Sequence, residues 1–275
     1  MFCHARRHCY KSVLSKYAEV ICRHRSYIPI ADRDESLKGI NLALQQVQQN
    51  IQALRRSIQV EHREDVCKLK VTENDVLIKL EVNPVGRGLI AESVKMPLCD
   101  EAQEMFDTFC SIPVVSISQL YSSKLCAALD RQHPRDLFDV KLMLDKVGFT
   151  DGIKRGLIYG LASSTRPIYE MLDPNLLDQR SAYENQFIGM SDIPFSYADY
   201  EQTRLELIQV IRESLTSEDK AFLLSFNRLT PDWSLYDFRD FPSVKWKLLN
   251  LEKLRNGKPD KWQMQLDKLE TLLSQ

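Results

Sequence analysis

The chain has almost no net charge: 37 Lys and Arg residues stand against 38 Asp and Glu, a balance of -1 over 275 residues. That excludes a global electrostatic pull toward nucleic acid or an anionic membrane, so any phosphate recognition has to come from local clusters. Long apolar runs are missing as well. No stretch reaches the roughly 18–20 residues that span a bilayer, and the Arg6-Arg7 pair is followed by no continuous apolar segment like that of a secretory signal. The expectation is a cytoplasmic protein with no membrane partner. Paired C-x-x-C knuckles are absent too: the seven cysteines are odd in number and irregularly spaced, which fits reduced thiols better than a disulfide scaffold.

Cys3, Cys9 and Cys22 fall with His4, His8 and His24 in the first 24 residues. These are the ligand types zinc prefers, although the spacing is not that of a zinc knuckle. A disordered leader, or a beginning foreign to the domain that follows, are the alternatives. Residues 1–26 are therefore read as an atypical leader.

Regular patterning starts near Tyr27. Asp32 with Glu35 three residues on reads as a capping box, and Leu37, Ile40, Leu44, Val47, Ile51, Leu54 and Ile58 alternate spacings of three and four. This predicts a long amphipathic helix, either lying on a sheet or paired in a coiled coil, the sheet fitting slightly better. Two strands are expected at 66–71 and 76–83, separated by a polar turn, and a further short one near Pro113-Val-Val115. Strand parity puts Val76, Ile78, Leu80 and Val82 on one face and Leu77, Lys79 and Glu81 on the other. After Gly148, a natural helix stop, the pattern is helical almost throughout: Leu205, Ile208, Ile211 and Leu215 share a face, Ser217 is placed to cap the next helix, and Pro242 opens another. The fold class is α+β, with 27–150 as a small mixed sheet flanked by helices and 151–275 as a helical C-terminal domain.

The chemistry concentrates in one segment. Ser118 reads as an N-cap, and Lys124 and Arg131, seven residues apart, share a helix face. Pro134 suits the first turn of a second helix, on which Arg135 and Asp139 are spaced to meet, with Asp136 between them. Arg135, Asp136 and Asp139 read either as part of a site or as an ion-pair network that only holds two helices together. Trp233 and Trp246 with Lys245, Lys247, Lys253 and Arg255 could serve RNA stacking and phosphate contact, or be core tryptophans beside a solvated lysine face.

This segment resembles the third motif of the AbiEii-type nucleotidyltransferase toxins, a Lys helix followed by Arg-Asp-x-x-Asp. The similarity continues through Arg166-Pro167, Glu184-Asn-Gln-Phe187-Ile-Gly189-Met190, Phe222-Leu-Leu-Ser225, Pro231-Asp-Trp233 and Pro242-Ser-Val-Lys-Trp246-Lys247 to Asn250-Leu251. The resemblance implies a nucleotidyltransferase-like fold and transfer of a nucleotide from a nucleoside triphosphate, with Mg2+, to an acceptor such as tRNA. It also implies an antitoxin partner in a bacterial toxin–antitoxin or phage-defence pair. Lys124 would be a catalytic and phosphate-contacting residue, Asp139 a catalytic one, and Arg131 and Arg135 nucleotide-binding. Such enzymes carry an Asp-x-Asp pair after a Gly-Gly-Ser or Gly-Gly-Thr turn, and Glu81 is the candidate for a further metal carboxylate. Residues 1–26, where that pair is expected, hold no glycine and no aspartate. Asp32 and Asp34 are spaced D-x-D but sit where the family's following helix begins, and read as surface carboxylates. The alternative to an active enzyme is an altered, inactive relative that binds nucleotide or antitoxin. A third reading is a metal-binding N-terminal module on a helical interaction domain.

Overall fold

A computed structural model describes residues 33–274 except 55–56, 75, 84–85, 87 and 108. The zinc-type residues before Ser26, and Asp32, lie outside the described residues. The chain forms two compact units, Met1–Ser116 and Ile117–Gln275, so the two motif helices pack with the C-terminal ones.

In the first unit the apolar rhythm becomes helix α1 (Arg33–Leu54), which ends four residues earlier than the pattern suggests. Ile40, Leu44, Val47 and Ile51 are each exposed by 4% or less, and burial of each contributes about 1.5–3 kcal/mol. They pack on a sheet together with Ile58, Val60, Leu69 and Val71. The sheet is antiparallel, β1 (Gln59–Arg63), β2 (Lys68–Glu73) and β3 (Val76–Glu81), in that order. Two side chains of α1 tie down β1: Gln48 Nε2 donates to Val60 O at 2.9 Å, and Asn41 Oδ1 lies 3.0 Å from His62 Nε2.

Strand β1 was not legible, because only Val60 is buried in a five-residue, mostly charged run. The strand expected from Val66 starts instead at Lys68: Glu64–Val66 is a 3-10 turn and Cys67 takes φ 50°. Beyond β3, β4 (Val94–Pro97) and β5 (Ser111–Val114) form a separate antiparallel pair, with helix α2 (Asp100–Phe106) between them in sequence.

The second unit holds α3 (Ile117–Arg131), α4 (Pro134–Lys146), α5 (Asp151–Ser163), α6 (Ile168–Leu172), α7 (Arg180–Gln186), α8 (Tyr197–Ser214), α9 (Ser217–Asn227), α10 (Pro242–Gly257) and α11 (Pro259–Leu273). Its tightest crossing is α3 on α5. A Cβ at Gly156 would stand 2.1 Å from Ser118 O, and one at Gly160 2.5 Å from Cys126 Sγ. Gly156 and Gly160, one turn apart on α5, thus let its backbone approach the helix that carries Lys124. Ser118 is accordingly inside the first turn of α3, at this crossing, and not the cap.

Elsewhere, α4 stops at Gly148, whose φ is +76° and whose N–H donates to Met143 O. Thr216, not Ser217, caps α9, reciprocally with Asp219. In α8 the buried stripe is Tyr200, Thr203, Arg204, Leu207 and Ile211, while Leu205 is 49% exposed. An apolar-only count misplaced this face because its centre is an arginine.

Candidate functional site

Helices α3 and α4 form a hairpin whose elbow is only two residues long. Gln132 turns the chain with φ 50°, and His133 then caps α4, its Nδ1 accepting the Arg135 N–H at 3.2 Å. Pro134 follows at the first helical position, where its missing N–H costs no hydrogen bond.

Gln132 is 2% exposed and its amide is engaged at both its nitrogen and its oxygen. Nε2 donates to Asn175 O at 2.7 Å, and Oε1 accepts from Leu177 N at 3.0 Å and Arg204 Nη1 at 3.1 Å. Its backbone carbonyl accepts from Tyr200 Oη at 2.9 Å. A strained, left-handed elbow is held only when its surroundings over-determine it, and these four bonds do so. None of Gln132, Tyr200 or Arg204 stood out in the sequence; the one signal was an arginine at a stripe position of α8.

The elbow brings Lys124 and Arg131 of α3 against the carboxylates of α4. Lys124 Nζ lies 2.5 Å from Asp139 Oδ2 and 3.8 Å from Asp136 Oδ1. Arg131 grips Asp136 at two points, Nε to Oδ2 at 2.6 Å and Nη2 to Oδ1 at 3.0 Å. The four side chains differ in access: Asp136 is 4% exposed, Asp139 32%, Lys124 40% and Arg131 65%. Asp136 is therefore the buried post to which both cations are tied, and Lys124 with Asp139 forms the accessible edge. Arg135 does not meet Asp139 as its spacing suggested. It is exposed and makes no ion pair among the described residues. Lys124, Arg131 and Arg135 stand against Asp136 and Asp139, and the third carboxylate of the hairpin, Asp130, is paired with Arg166 while also acting on Arg131.

Glu81 is on the outward face of β3, as its parity indicated, and salt-bridges to Lys68 Nζ at 2.9 Å. Its hydrogen bond and charge interaction with Lys68 hold its carboxyl below the usual range. Among the described residues no three His, Cys, Asp or Glu side chains are placed together to hold a metal. Asp136 and Asp139 are each already bound to a cation, so these residues do not fit a two-metal centre by themselves.

The tryptophan–lysine cluster does not form as one surface. Trp233 packs with Phe222 and Phe226 at centroid distances of 6.1 and 6.4 Å, and Lys245 pairs with Asp240. Lys247 is 6% exposed and donates to Leu161 O at 2.6 Å and Arg166 O at 2.8 Å, near the C-terminal end of α5. Burial pushes its amine down to about 7. Trp246 is 51% exposed, with Lys253 Nζ 5.8 Å from its ring centroid.

The geometry is that of a helical hairpin with an accessible lysine–carboxylate contact beside an exposed arginine that is tied to a buried carboxylate. Over residues 20–250 the chain matches the family model described as nucleotidyl transferase AbiEii toxin, type IV TA system, and it belongs to that family. Neither a curated protein nor a solved structure matches it. The family is that of a nucleotidyltransferase toxin of a type IV toxin–antitoxin system, and no helix among the described residues is long and apolar enough to cross a membrane.

Proposed function

We propose that this protein transfers a nucleotide from a nucleoside triphosphate to an acceptor such as tRNA, as the toxin of a toxin–antitoxin pair active in the cytoplasm in phage defence. The observation that carries this reading is the Lys124–Asp139 contact above the locked Arg131–Asp136 pair. In it Lys124 exchanges Asp139 for the triphosphate, Arg131 and the exposed Arg135 add charge for the phosphate chain, and Asp136 keeps both α3 cations aimed. Phosphoryl and nucleotidyl transfer depend largely on such positioning and charge neutralisation. Magnesium accompanies the triphosphate in this proposal, with Glu81 as a carboxylate ligand on the strength of its strand position.

A second reading is favoured by the absence of glycine and aspartate from residues 1–26: a relative that binds triphosphate or antitoxin without turnover. Transfer of labelled nucleotide from each of the four triphosphates with magnesium onto total tRNA, beside an Asp139→Ala variant, separates the two. Labelling that is lost in Asp139→Ala supports transfer. Triphosphate binding without labelling supports the inactive relative, and a folded protein that neither binds nor labels defeats both.

A further inference from the structure

A second cavity in the helical unit has a charge character unlike that of the hairpin. Of about 310 Å³, it lies where the 164–167 loop faces α10 and α11, and its walls include Arg166, Trp246, Lys247, Asn250, Lys261 and Gln265. Among the described residues that line it, none is acidic. By contrast, a larger cavity of about 870 Å³ on the other side of Arg166 is lined by Asp130, Glu170, Asp173 and Asp267 as well as by cations.

Two side chains of the smaller cavity, Gln265 and Lys261, have no side-chain partner within the protein among the described residues. Gln265 is 6% exposed, yet its side chain makes no hydrogen bond within the protein among the described residues. Its amide lines the cavity, where a ligand with donors and acceptors would find it unpaired. Lys261 is exposed and makes no ion pair among the described residues. Trp246 leaves half of a large indole in solvent at the cavity wall. Arg166 is committed to Asp130 and Glu170 and Lys247 to two backbone carbonyls, so the available charge comes from Lys261. Lys247 also fixes the wall itself, since its two hydrogen bonds pin Leu161 O and Arg166 O on either side of the loop.

An aromatic face, an unpaired amide and a lysine without an opposing carboxylate form the donor set for a planar, hydrogen-bonding ring that carries an anion. We propose that this cavity binds a nucleotide unit, with its base on Trp246 and read by Gln265 and its phosphate at Lys261. The unit is either a free mononucleotide or the end of an RNA strand. The inference does not depend on the transfer reaction at Lys124.

Binding is tested on the full chain without magnesium, in EDTA, by calorimetry and tryptophan fluorescence, with the four nucleoside monophosphates in one arm and a single-stranded oligoribonucleotide in the other. The expected result is saturable binding that Trp246→Ala weakens roughly 5- to 150-fold, the range of one stacking contact, and that Lys261→Glu also weakens. Lys124→Ala should leave it unchanged, which keeps this site distinct from the hairpin. Both test positions are exposed, so melting temperatures should stay near that of the parent. Binding of monophosphates assigns a free nucleotide, and binding of the oligonucleotide alone assigns an RNA end. No binding in either arm, or binding that survives both Trp246→Ala and Lys261→Glu, overturns the proposal.

Discussion

Arg131 and Asp136 join α3 to α4 through two hydrogen bonds, of 2.6 and 3.0 Å, across an elbow of two residues. The guanidinium is 65% exposed and the carboxylate only 4%, so the pair is unequal: the buried partner depends on the exposed one.

Arg131→Ala should therefore destabilise the protein more than a surface substitution does. Asp136 would keep only Lys124, at 3.8 Å, and an under-satisfied buried carboxylate costs about 1–3 kcal/mol. Urea unfolding measures this. A loss below about 0.5 kcal/mol, the scale of ordinary surface changes, would show that Asp136 has no need of Arg131.

Glu81→Gln separates a metal ligand from a strand carboxylate. The Lys68–Glu81 pair is 40% and 53% exposed, and exposed pairs contribute about 0–1 kcal/mol, so the melting temperature should hardly move. Nucleotide transfer should fall sharply if Glu81 holds the metal. Full activity in the variant would remove Glu81 from the proposed site.

The sequence exposed what depends on local spacing. The α1 stripe, the face of Glu81, the pairing of Lys124 and Arg131 on one surface, the Gly148 stop and Pro134 at a first turn are consequences of 3.6- and two-residue periods acting within a few turns. It did not expose what depends on contacts between distant segments. Arg135 was expected at Asp139 because helical spacing allows it, whereas the observed partner, Lys124, comes from the neighbouring helix. Gln132 is held by Tyr200 and Arg204, 68 and 72 residues away, and Lys247 is buried by carbonyls 81 and 86 residues away. No window of sequence contains these relationships.

Lys247 should give the fold a measurable pH dependence. Its amine titrates at about 7 in the folded protein, lowered by burial, against about 10.4 in an unfolded chain. Between these values the unfolded state holds the extra proton, so the contribution to stability rises with pH, by at most about 1.36 kcal/mol per unit. It is fully present above the unfolded value and is lost as pH falls through 7. Lys247→Met should lack this rise, and the difference between the two unfolding free energies from pH 7 to 10 measures it together with the linked Cys126 thiol. Parallel curves would contradict a buried, readily neutralised lysine.

Gly156→Ala should be costly although it adds one methyl group. That carbon would meet Ser118 O at 2.1 Å, a backbone atom that cannot rotate aside, so α3 and α5 would have to separate. Overpacking of this kind costs about 1–3 kcal/mol. Gly39→Ala in α1, where nothing lies within 4 Å, is the control and should be neutral or mildly stabilising. Thermal unfolding of both variants decides it, and equal melting temperatures would mean that the crossing yields.

The hairpin elbow also bears on the order in which the molecule assembles. Lys124, Arg131, Asp136 and Asp139 lie in one short stretch, and partners are at most 15 positions apart along the chain. Closing so short a loop carries little entropic cost, and local contacts of this kind form early in folding. Gln132, by contrast, waits for Tyr200 and Arg204 to arrive from far downstream. The ion pairs can thus meet while the elbow is still loose, and the late docking of α8 fixes them in register. On this account α8 acts on the site through the elbow, where Tyr200 and Arg204 hold Gln132.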